Sequence, residues 1–387
     1  MELLLYAVIF SMILIVSNVT NKLVPSLPLP LIQILLGIVW ALFVPEENFH
    51  LDTELFLALV IGPLLFREAE EADITSVLKH WRIILYLIFP VIFISTLSLG
   101  GLAHLLWLSL PLAACLAVGA ALGPTDLVAF ASLSERFSFP KRVSNILKGE
   151  GLLNDASGLV AFQVALAAWT TGTFSLGQAG SSLIFSILGG FLIGFLTAMT
   201  NRFLHTFLLS VRATDIASEL LLELSLPLVT FFLAEEVHVS GIIAVVVAGI
   251  LKASRFKKIT LLEAQVDTVT ETVWHTVTFM LNGSVFVILG IELEMIAEPI
   301  LTNPIYNPLL LLVSLIALTF VLFAIRFVMI YGYYTYRTRR LKKKLNKYMK
   351  DMLLLTFSGV KGTVSIATIL LIPSNLEQEY PLLLFLV

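Results

Sequence analysis

Charged residues are scarce in this chain of 387 amino acids, because Asp, Glu, Lys and Arg together make up only 13% of it. Soluble domains are about a quarter charged and about half apolar, whereas 58% of these residues are hydrophobic. A soluble fold could not cover such a core with so few polar side chains, but a bilayer accepts an apolar surface. The composition excludes an ordinary soluble protein and indicates an integral membrane protein.

Cysteine is nearly absent, and so are the motifs of several enzyme classes. Cys115 stands alone, which excludes an internal disulfide framework. The chain has no glycine-rich phosphate loop, no HExxH zinc motif and no nucleophile elbow, and its six histidines lack metal-ligand spacing. Met1 and Glu2 lead directly into an apolar run, so we expect a first transmembrane helix there and not a signal peptide. We expect no enzymatic activity, no cofactor and no nucleic-acid partner.

Apolar runs long enough, or nearly long enough, to cross a bilayer alternate with short polar loops. They lie at about 3–19, 28–45, 52–66, 83–108, 112–132, 149–170, 181–201, 215–235, 238–252, 272–292, 308–335 and 352–373. A last run begins near Tyr380 and stops at Val387, short of the roughly 20 residues that a span needs. The sequence therefore predicts an all-α membrane protein with about thirteen transmembrane helices, the last one truncated.

The positive residues predict the orientation in the membrane. All but two of the 24 Lys and Arg residues fall in alternate loops, while the other loops hold glutamates. Basic loops face the cytoplasm, so we expect a multi-pass cell-membrane protein with its N-terminus outside. The eight basic residues from Arg337 to Lys350 are expected to contact anionic membrane lipid. The two exceptions, Arg326 and Lys361, fall inside spans.

A first interrupted span carries the carboxylate of Asp126. A charge near the bilayer centre costs about 2.5–3.5 kcal/mol and persists when it is paired, faces water or has a function. Asp126 ends the segment 123–126 (GPTD), and Gly followed by Pro interrupts a helix because Pro removes a backbone donor. We expect two half-helices that meet at Thr125 and Asp126. The alternative is a kinked helix with a structural aspartate.

The next span begins with the segment 149–156 (GEGLLNDA). Glu150 and Asn154 are four residues apart and share one helix face. Asp155 lies about 140° further round than Glu150. One face can hold a structural charge pair while Asp155 points to a cavity. The alternative is that Asn154 and Asp155 only make polar contacts between helices.

A second interruption lies at 358–363 (SGVKGT), where two glycines flank Lys361. Two broken helices in corresponding halves are typical of inverted-repeat transporters, whose ion site lies between the breaks. Lys361 would neutralise the negative ends of half-helices, or else extend to an interface. Arg326 requires a buried carboxylate, for which Glu150 is the best candidate, unless Arg326 is interfacial. Glu68, in an acidic segment, belongs either to a cation funnel or to a solvated loop.

These three motifs, in this order and spacing, resemble the Na⁺/H⁺ antiporters of the cation/proton antiporter-1 family, of the NhaP and NHE type. The resemblance covers essentially the whole chain, 1–387. It implies an NhaA-like membrane transporter domain with inverted repeats and two discontinuous crossing helices. It also implies a moving core, at about 83–170 and 308–387, and a scaffold of the remaining spans that forms a homodimer.

The resemblance further implies the residues of the ion site. Asp155 would bind the metal ion Na⁺ and H⁺ alternately. Thr125, Asp126 and Asn154 would shape the site around it. Relatives with Asn-Asp at these positions are generally electroneutral, so one cation would be exchanged for one proton.

The resemblance also implies a stabilising ion pair between Glu150 and Arg326. The chain departs from the family at two positions. Gly151 stands where many relatives have Ser, and Lys361 stands where the usual residue is Arg. These departures bear on ion selectivity and affinity.

The predicted function is a secondary active antiporter that exchanges Na⁺ or Li⁺ for H⁺ across the plasma membrane by alternating access. A single carboxylate can hold either a proton or a dehydrated cation, and exchange is obligatory if only the loaded carrier crosses. One alternative is K⁺/H⁺ exchange by the same fold. Alternatives of another class are an inactive scaffold and an intramembrane aspartyl protease, because Asp126 and Asp155 lie in consecutive spans, although a Gly-x-Gly-Asp motif is missing.

Overall fold

A computed structural model of the chain consists of helices joined by turns and short irregular segments in the part that it describes, and no strand occurs there. The described residues are 2–43, 53–125, 139–171, 176–211, 215–253, 261–303, 307–340, 342, 345–359, 372, 382 and 386. The prediction of an all-α protein is confirmed for these residues.

The described helices are numbered α1 to α15 in chain order. They are α1 Glu2–Leu23, α2 Leu29–Ala41, α3 Thr53–Phe56, α4 Gly62–Glu71, α5 Ile74–Lys79, α6 Trp81–Tyr86, α7 Ile92–Leu106, α8 Leu112–Ala121, α9 Lys141–Thr171, α10 Leu176–Ser210, α11 Ile216–Glu236, α12 Gly241–Ala253, α13 Leu261–Thr302, α14 Pro308–Arg340 and α15 Met349–Phe357. π-Helical turns at Leu57–Ile61 and Leu87–Val91 join α3 to α4 and α6 to α7, and a 3₁₀ turn at Leu345–Tyr348 precedes α15.

Five described helical stretches are long and apolar enough to cross a membrane. They are Trp81–Leu106, Ile184–Ser210, Ile216–Glu236, Thr268–Ala297 and Pro308–Arg340. The first of them contains Pro90, and the π-turn around it accommodates the missing backbone donor. Shorter apolar helices accompany these five, among them α2, α8 and α12.

Two helices end where the sequence predicts interruptions. α8 ends at Ala121, after which the Gly123 N–H donates to the Ala120 carbonyl at 3.1 Å in a tighter turn. Pro124 follows and has no N–H to continue the helix. α15 ends at Phe357, just before Gly359. Residues 126–138 and 360–371 lie outside the described residues, so the second halves of these spans stay predictions.

The chain divides into two compact units. Unit 1 comprises Met1–Ile15, His50–Ile74 and Leu176–Val285, and unit 2 comprises Val16–Phe49, Thr75–Ser175 and Phe286–Val387. Unit 2 contains both ranges that were predicted to form the transport core, 83–170 and 308–387, together with additional segments. The assignment of core and scaffold functions stays a prediction.

In unit 1, small residues bring α10 and α12 into backbone contact. A Cβ atom added to Gly194 would stand 2.2 Å from the Ala244 carbonyl oxygen, and one added to Gly190 would stand 2.8 Å from that of Ser240. Small residues four apart allow such close approach in membrane helices, where packing replaces the hydrophobic effect. The glycines therefore leave room for the α12 backbone and for the side chains of Ile243 and Val247.

Polar side chains of unit 1 are paired within and between its helices. Lys252 of α12 contacts Glu223 of α11. Arg67 contacts Glu70 at 3.0 Å and Glu71 at 2.6 Å, all on α4. The Glu71 side chain is 61% exposed, whereas those of Lys252 and Glu223 are mostly buried. Each of the two cations, Arg67 and Lys252, is therefore paired with at least one carboxylate.

α11 begins at Ile216 because Asp215 caps it. The Asp215 carboxylate accepts a hydrogen bond from the Ser218 backbone N–H at 2.8 Å, which satisfies one of the free donors of the first turn. Hydrogen bonds from the side chain and backbone of Ser218 hold the pKa of the Asp215 carboxyl below its usual value. Asn would cap this helix about as well as Asp.

In unit 2, α2 crosses α13 at two glycines. A Cβ atom added to Gly290 would stand 2.2 Å from the Ile34 carbonyl oxygen, and one added to Gly37 would stand 2.2 Å from that of Val287. The two backbones therefore touch at this crossing. Any side chain larger than hydrogen would push the helices apart.

The first turn of α9 is fastened to α14 and α15 by an arginine held between aromatic rings. The Arg142 guanidinium carbon lies 5.5 Å from the ring centre of Tyr334 and 5.1 Å from that of Tyr348. Arg142 also lies 3.7 Å from the Asp351 carboxylate. Cations over aromatic faces are attracted by the ring quadrupole. This contact joins the first turn of α9 to α14 and to the beginning of α15.

Candidate ion-transport site

Two charged side chains from predicted spans form a buried ion pair in unit 2. Arg326 of α14 donates from Nη1 to Glu150 Oε1 at 2.7 Å and from Nη2 to Glu150 Oε2 at 2.8 Å. Glu150 is fully buried and Arg326 is 3% exposed. Two parallel N–H···O bonds between an arginine fork and a carboxylate fix both direction and distance. The pair offsets the desolvation of each charge, which otherwise costs several kcal/mol per ion.

The same arginine also caps a helix end. Arg326 Nε donates to the Leu355 carbonyl oxygen at 2.9 Å, in the last turn of α15. Carbonyl groups of a last turn lack helical partners, and a cation there also meets the negative end of the helix dipole. A Cβ atom added to Gly359 would stand 2.7 Å from Arg326 Cζ. The glycine after α15 therefore leaves the space that the guanidinium occupies.

A second contact joins α9 to the residues that follow α8. Asn154 Nδ2 donates to Thr125 Oγ1 at 3.0 Å, and both residues are buried, with 1% and 5% of their surface exposed. Within the described part of the chain, the Asn154 Oδ1 atom is buried and has no hydrogen-bond partner. An unpaired buried carbonyl oxygen is costly. It is also a ligand of the type that a hard cation prefers.

The remaining predicted site residues are described only in part. Asp155 follows Asn154 in the helical backbone of α9, while Asp126 and Lys361 lie outside the described residues. Glu68 lies on α4 in unit 1 and is partly buried. Among the residues that are described, no group of three or more His, Cys, Asp or Glu could hold a metal ion. The roles predicted for these four residues stay predictions.

One neighbour of the site was not singled out from the sequence. α9 approaches the interruption after α8 so closely that a Cβ atom added to Gly158 would stand 1.9 Å from Pro124 Cγ. Gly158 lies one helix turn beyond Asn154. A glycine inside an apolar helix, four residues from a buried polar side chain, is the sequence signal that could have indicated this contact.

Comparison with known proteins gives a family. A family model described as "Sodium/hydrogen exchanger, transmembrane" matches residues 7–387. A "Sodium, potassium, lithium and rubidium/H(+) antiporter" of Bacillus subtilis (strain 168) is 35% identical over 384 residues. Its namesake in Bacillus pumilus (strain SAFR-032) is 34% identical over 383 residues. Each alignment covers 98% of this chain and 57% of the relative, so the chain spans a little over half the length of these relatives.

A solved structure supplies the fold. The sodium proton antiporter MjNhaP1 from Methanocaldococcus jannaschii at pH 8 matches with a TM-score of 0.69 at 18% identity. The match covers 100% of this chain and 92% of that one. The resemblance to Na⁺/H⁺ antiporters that the motifs indicated is confirmed, and this chain belongs to the transmembrane sodium/hydrogen exchanger family.

Proposed function

We propose that this chain is a secondary antiporter that exchanges Na⁺ or Li⁺ for H⁺ across the cell membrane by alternating access. Its family is one of transporters and not of enzymes. The Bacillus relatives are named as antiporters of sodium, potassium, lithium and rubidium against protons. The main structural support is the Asn154 side chain, whose Nδ2 is bound to Thr125 while its Oδ1 stays unpaired within the described residues.

The proposed chemistry is competition for one carboxylate. Na⁺ is a hard cation that takes several oxygen ligands, and broken helices supply such oxygens at the midplane of transporters. We assign the exchanged carboxylate to Asp155, with Asn154 Oδ1 as a neighbouring oxygen and with Thr125 and Asp126 shaping the site. A proton and a cation cannot occupy the same carboxylate together. Loading with one therefore requires release of the other.

Three further charged residues receive supporting roles in this proposal. The Glu150–Arg326 pair holds α9, α14 and the end of α15 together, which the bidentate geometry and the bond to the Leu355 carbonyl support. Lys361 balances the helix ends of the second interruption, and Glu68 belongs to a cytoplasmic cation funnel. These last two assignments rest on the sequence alone.

The finer architecture is likewise proposed. It comprises about thirteen spans, inverted repeats, two discontinuous crossing helices, an outside N-terminus and a homodimer. The fold match to MjNhaP1 supports the helical architecture, and the ends of α8 and α15 at Ala121 and Phe357 support the two discontinuous helices, whereas the orientation and the homodimer rest on the sequence resemblance. The Asn154-Asp155 pair supports electroneutral exchange.

K⁺/H⁺ exchange is a second candidate. The names of the two Bacillus relatives include potassium and rubidium beside sodium and lithium, which favours a site that accepts several monovalent cations. Unpaired amide oxygens do not by themselves discriminate among these ions. The test must therefore compare the cations directly.

Proton movement in everted membrane vesicles tests the proposal. Wild-type protein is expected to give fluorescence dequenching after addition of NaCl or LiCl, and addition of KCl tests the competing candidate, K⁺/H⁺ exchange. The Asp155→Asn variant is expected to give no dequenching. The matched control is Asp215→Asn, the same chemical change at an exposed helix cap, which should leave exchange unchanged. Exchange that persists in Asp155→Asn would refute the assignment of Asp155. Absence of any ion-dependent signal in the wild type would refute the function.

A further inference from the structure

The contact between Gly158 and Pro124 lies directly beside the proposed cation site. A Cβ atom added to Gly158 would stand 1.9 Å from Pro124 Cγ, 2.8 Å from Cδ and 3.2 Å from Cβ. Ordinary contact between carbon atoms begins at about 3.5 Å. The proline ring is rigid and cannot rotate aside as a long side chain can. No side chain larger than hydrogen fits at Gly158 unless α9 and the Pro124 segment separate.

Separation at this point would reach Asn154 and Thr125. Thr125 is the residue after Pro124, and Asn154 lies about 6 Å from Gly158 along α9, given 1.5 Å per residue. Restoring contact distance at Gly158 requires a displacement of about 1.5 Å. Half of that displacement would lengthen the bond from Asn154 Nδ2 to Thr125 Oγ1, now 3.0 Å, beyond hydrogen-bonding distance.

Helix propensity does not explain a glycine at this position. Gly is the poorest helix former after Pro, and Gly158 lies well inside α9, which runs from Lys141 to Thr171. Gly101 and Gly332 are also helical, yet a Cβ atom added to either would meet no atom within 4 Å. Gly158 therefore differs from these two glycines in facing a rigid obstacle.

We propose that Gly158 is a positioning residue of the antiporter, which seats α9 on Pro124 so that Asn154 and Thr125 stay at bonding distance and Asn154 Oδ1 stays available to the cation. This inference rests on the proposed function. It adds a determinant of cation affinity that touches neither the cation nor the proton. A larger residue at position 158 would weaken cation binding before it lowers the maximal rate.

Cation titrations in everted vesicles at fixed pH test the inference. Gly158→Ala is expected to raise the half-saturating Na⁺ concentration about tenfold, the effect of losing one hydrogen bond to a polar group. The matched control is Gly101→Ala, the same change where the added methyl group meets nothing, and it should stay within about twofold of the wild type. Rates are normalised to the amount of folded protein measured by size-exclusion chromatography.

A second variant separates positioning from simple misfolding. Pro124→Ala removes the Cγ and Cδ atoms, which the new methyl group would meet at 1.9 and 2.8 Å, and leaves only the Cβ atom, at 3.2 Å, where a shift of a few tenths of an ångström restores contact distance. The double variant Pro124→Ala/Gly158→Ala should therefore match Pro124→Ala alone in half-saturating Na⁺ concentration, folded yield and thermal stability. This comparison decides the contact even if Gly158→Ala alone does not accumulate.

The outcomes distinguish the inference from the function on which it rests. A Gly158→Ala protein with wild-type half-saturation and only a lower maximal rate would overturn the positioning role. The Gly158→Ala change is compared in two backgrounds: if it lowers stability in the Pro124→Ala background by as much as it does in the wild type, the contact is overturned. Loss of the Na⁺ response in the wild type and in Gly101→Ala would overturn the proposed antiport itself, and the inference with it.

Discussion

Glu150→Gln tests how strongly the buried ion pair stabilises the protein. The substitution preserves the side-chain shape but leaves the Arg326 guanidinium without a counter-charge, in a place where only 3% of that residue meets solvent. Breaking a buried pair by removing one charge costs about 3–5 kcal/mol. The Leu355 carbonyl stays available to Arg326 Nε and the glutamine keeps one acceptor oxygen, so we expect the lower end, about 3 kcal/mol.

The single cysteine of the chain makes this effect measurable. Cys115 is fully buried on α8 in unit 2, so a thiol-reactive fluorophore reports unfolding of purified protein during heating. For a chain of this length, about 1–2 °C corresponds to 1 kcal/mol, and Glu150→Gln is expected to lower the Tm by about 3–6 °C. All variants are heated at one rate, since unfolding of membrane proteins is often irreversible.

A matched control is available in unit 1. Glu71→Gln makes the same chemical change in a pair where Arg67 Nε and Glu71 Oε1 are 2.6 Å apart, but the Glu71 side chain is 61% exposed. Exposed pairs contribute about 0–1 kcal/mol, so the Tm should fall by no more than about 1–2 °C. Equal shifts in the two variants would refute the reasoning. The reasoning would also be refuted if the Arg326→Gln/Glu150→Gln double variant lost more stability than the two single variants lose together.

Two further predictions concern a hydrogen bond and a helix crossing. Thr125→Val leaves the amide donor of Asn154 buried without its acceptor and should raise the half-saturating Na⁺ concentration several-fold. Thr125→Ser keeps the hydroxyl and should resemble the wild type. Equal titration curves for the two variants would contradict this prediction. Gly290→Ala should lower the Tm by several degrees, because its methyl group would stand 2.2 Å from a carbonyl oxygen of α2. Gly332→Ala adds a methyl group that meets no atom within 4 Å, so it should leave the Tm unchanged or raise it. An unchanged Tm in Gly290→Ala would argue against the crossing.

Local chemistry made the end of α8 predictable. Gly123 and Pro124 stop α8 because the proline lacks an N–H, and this effect needs no knowledge of neighbouring helices. Helix lengths were less predictable, because an apolar run predicts the segment inside the bilayer, whereas the helix can extend beyond that segment. The span expected at 149–170 belongs to α9, which begins at Lys141, and the span expected at 308–335 belongs to α14, which continues to Arg340.

Contacts between distant segments were harder to infer. The scarcity of buried charge indicated that Arg326 needs a carboxylate and made Glu150 the best candidate, and the structure places Glu150 against it across 176 residues of sequence. The bond from Arg326 to the Leu355 carbonyl could not be predicted, because any carbonyl of a last turn could serve equally. The contact between Gly158 and Pro124 depends on the distance between two helix backbones, which residue types alone do not determine.

The positions of these contacts on α9 constrain how the candidate site can move. Glu150, Asn154 and Gly158 are spaced four residues apart, so they follow one side of the helix over about 12 Å. Glu150 is joined through Arg326 to the end of α15, whereas Asn154 and Gly158 contact the residues after α8. A helix turn is stiff, so α9 sets the distance between the end of α8 and the end of α15. Shifting one of these two helix ends alone would break either the buried ion pair, at about 3–5 kcal/mol, or the contacts beside Asn154. If the proposed exchange operates, we therefore expect α8, α9, α14 and α15 to move together.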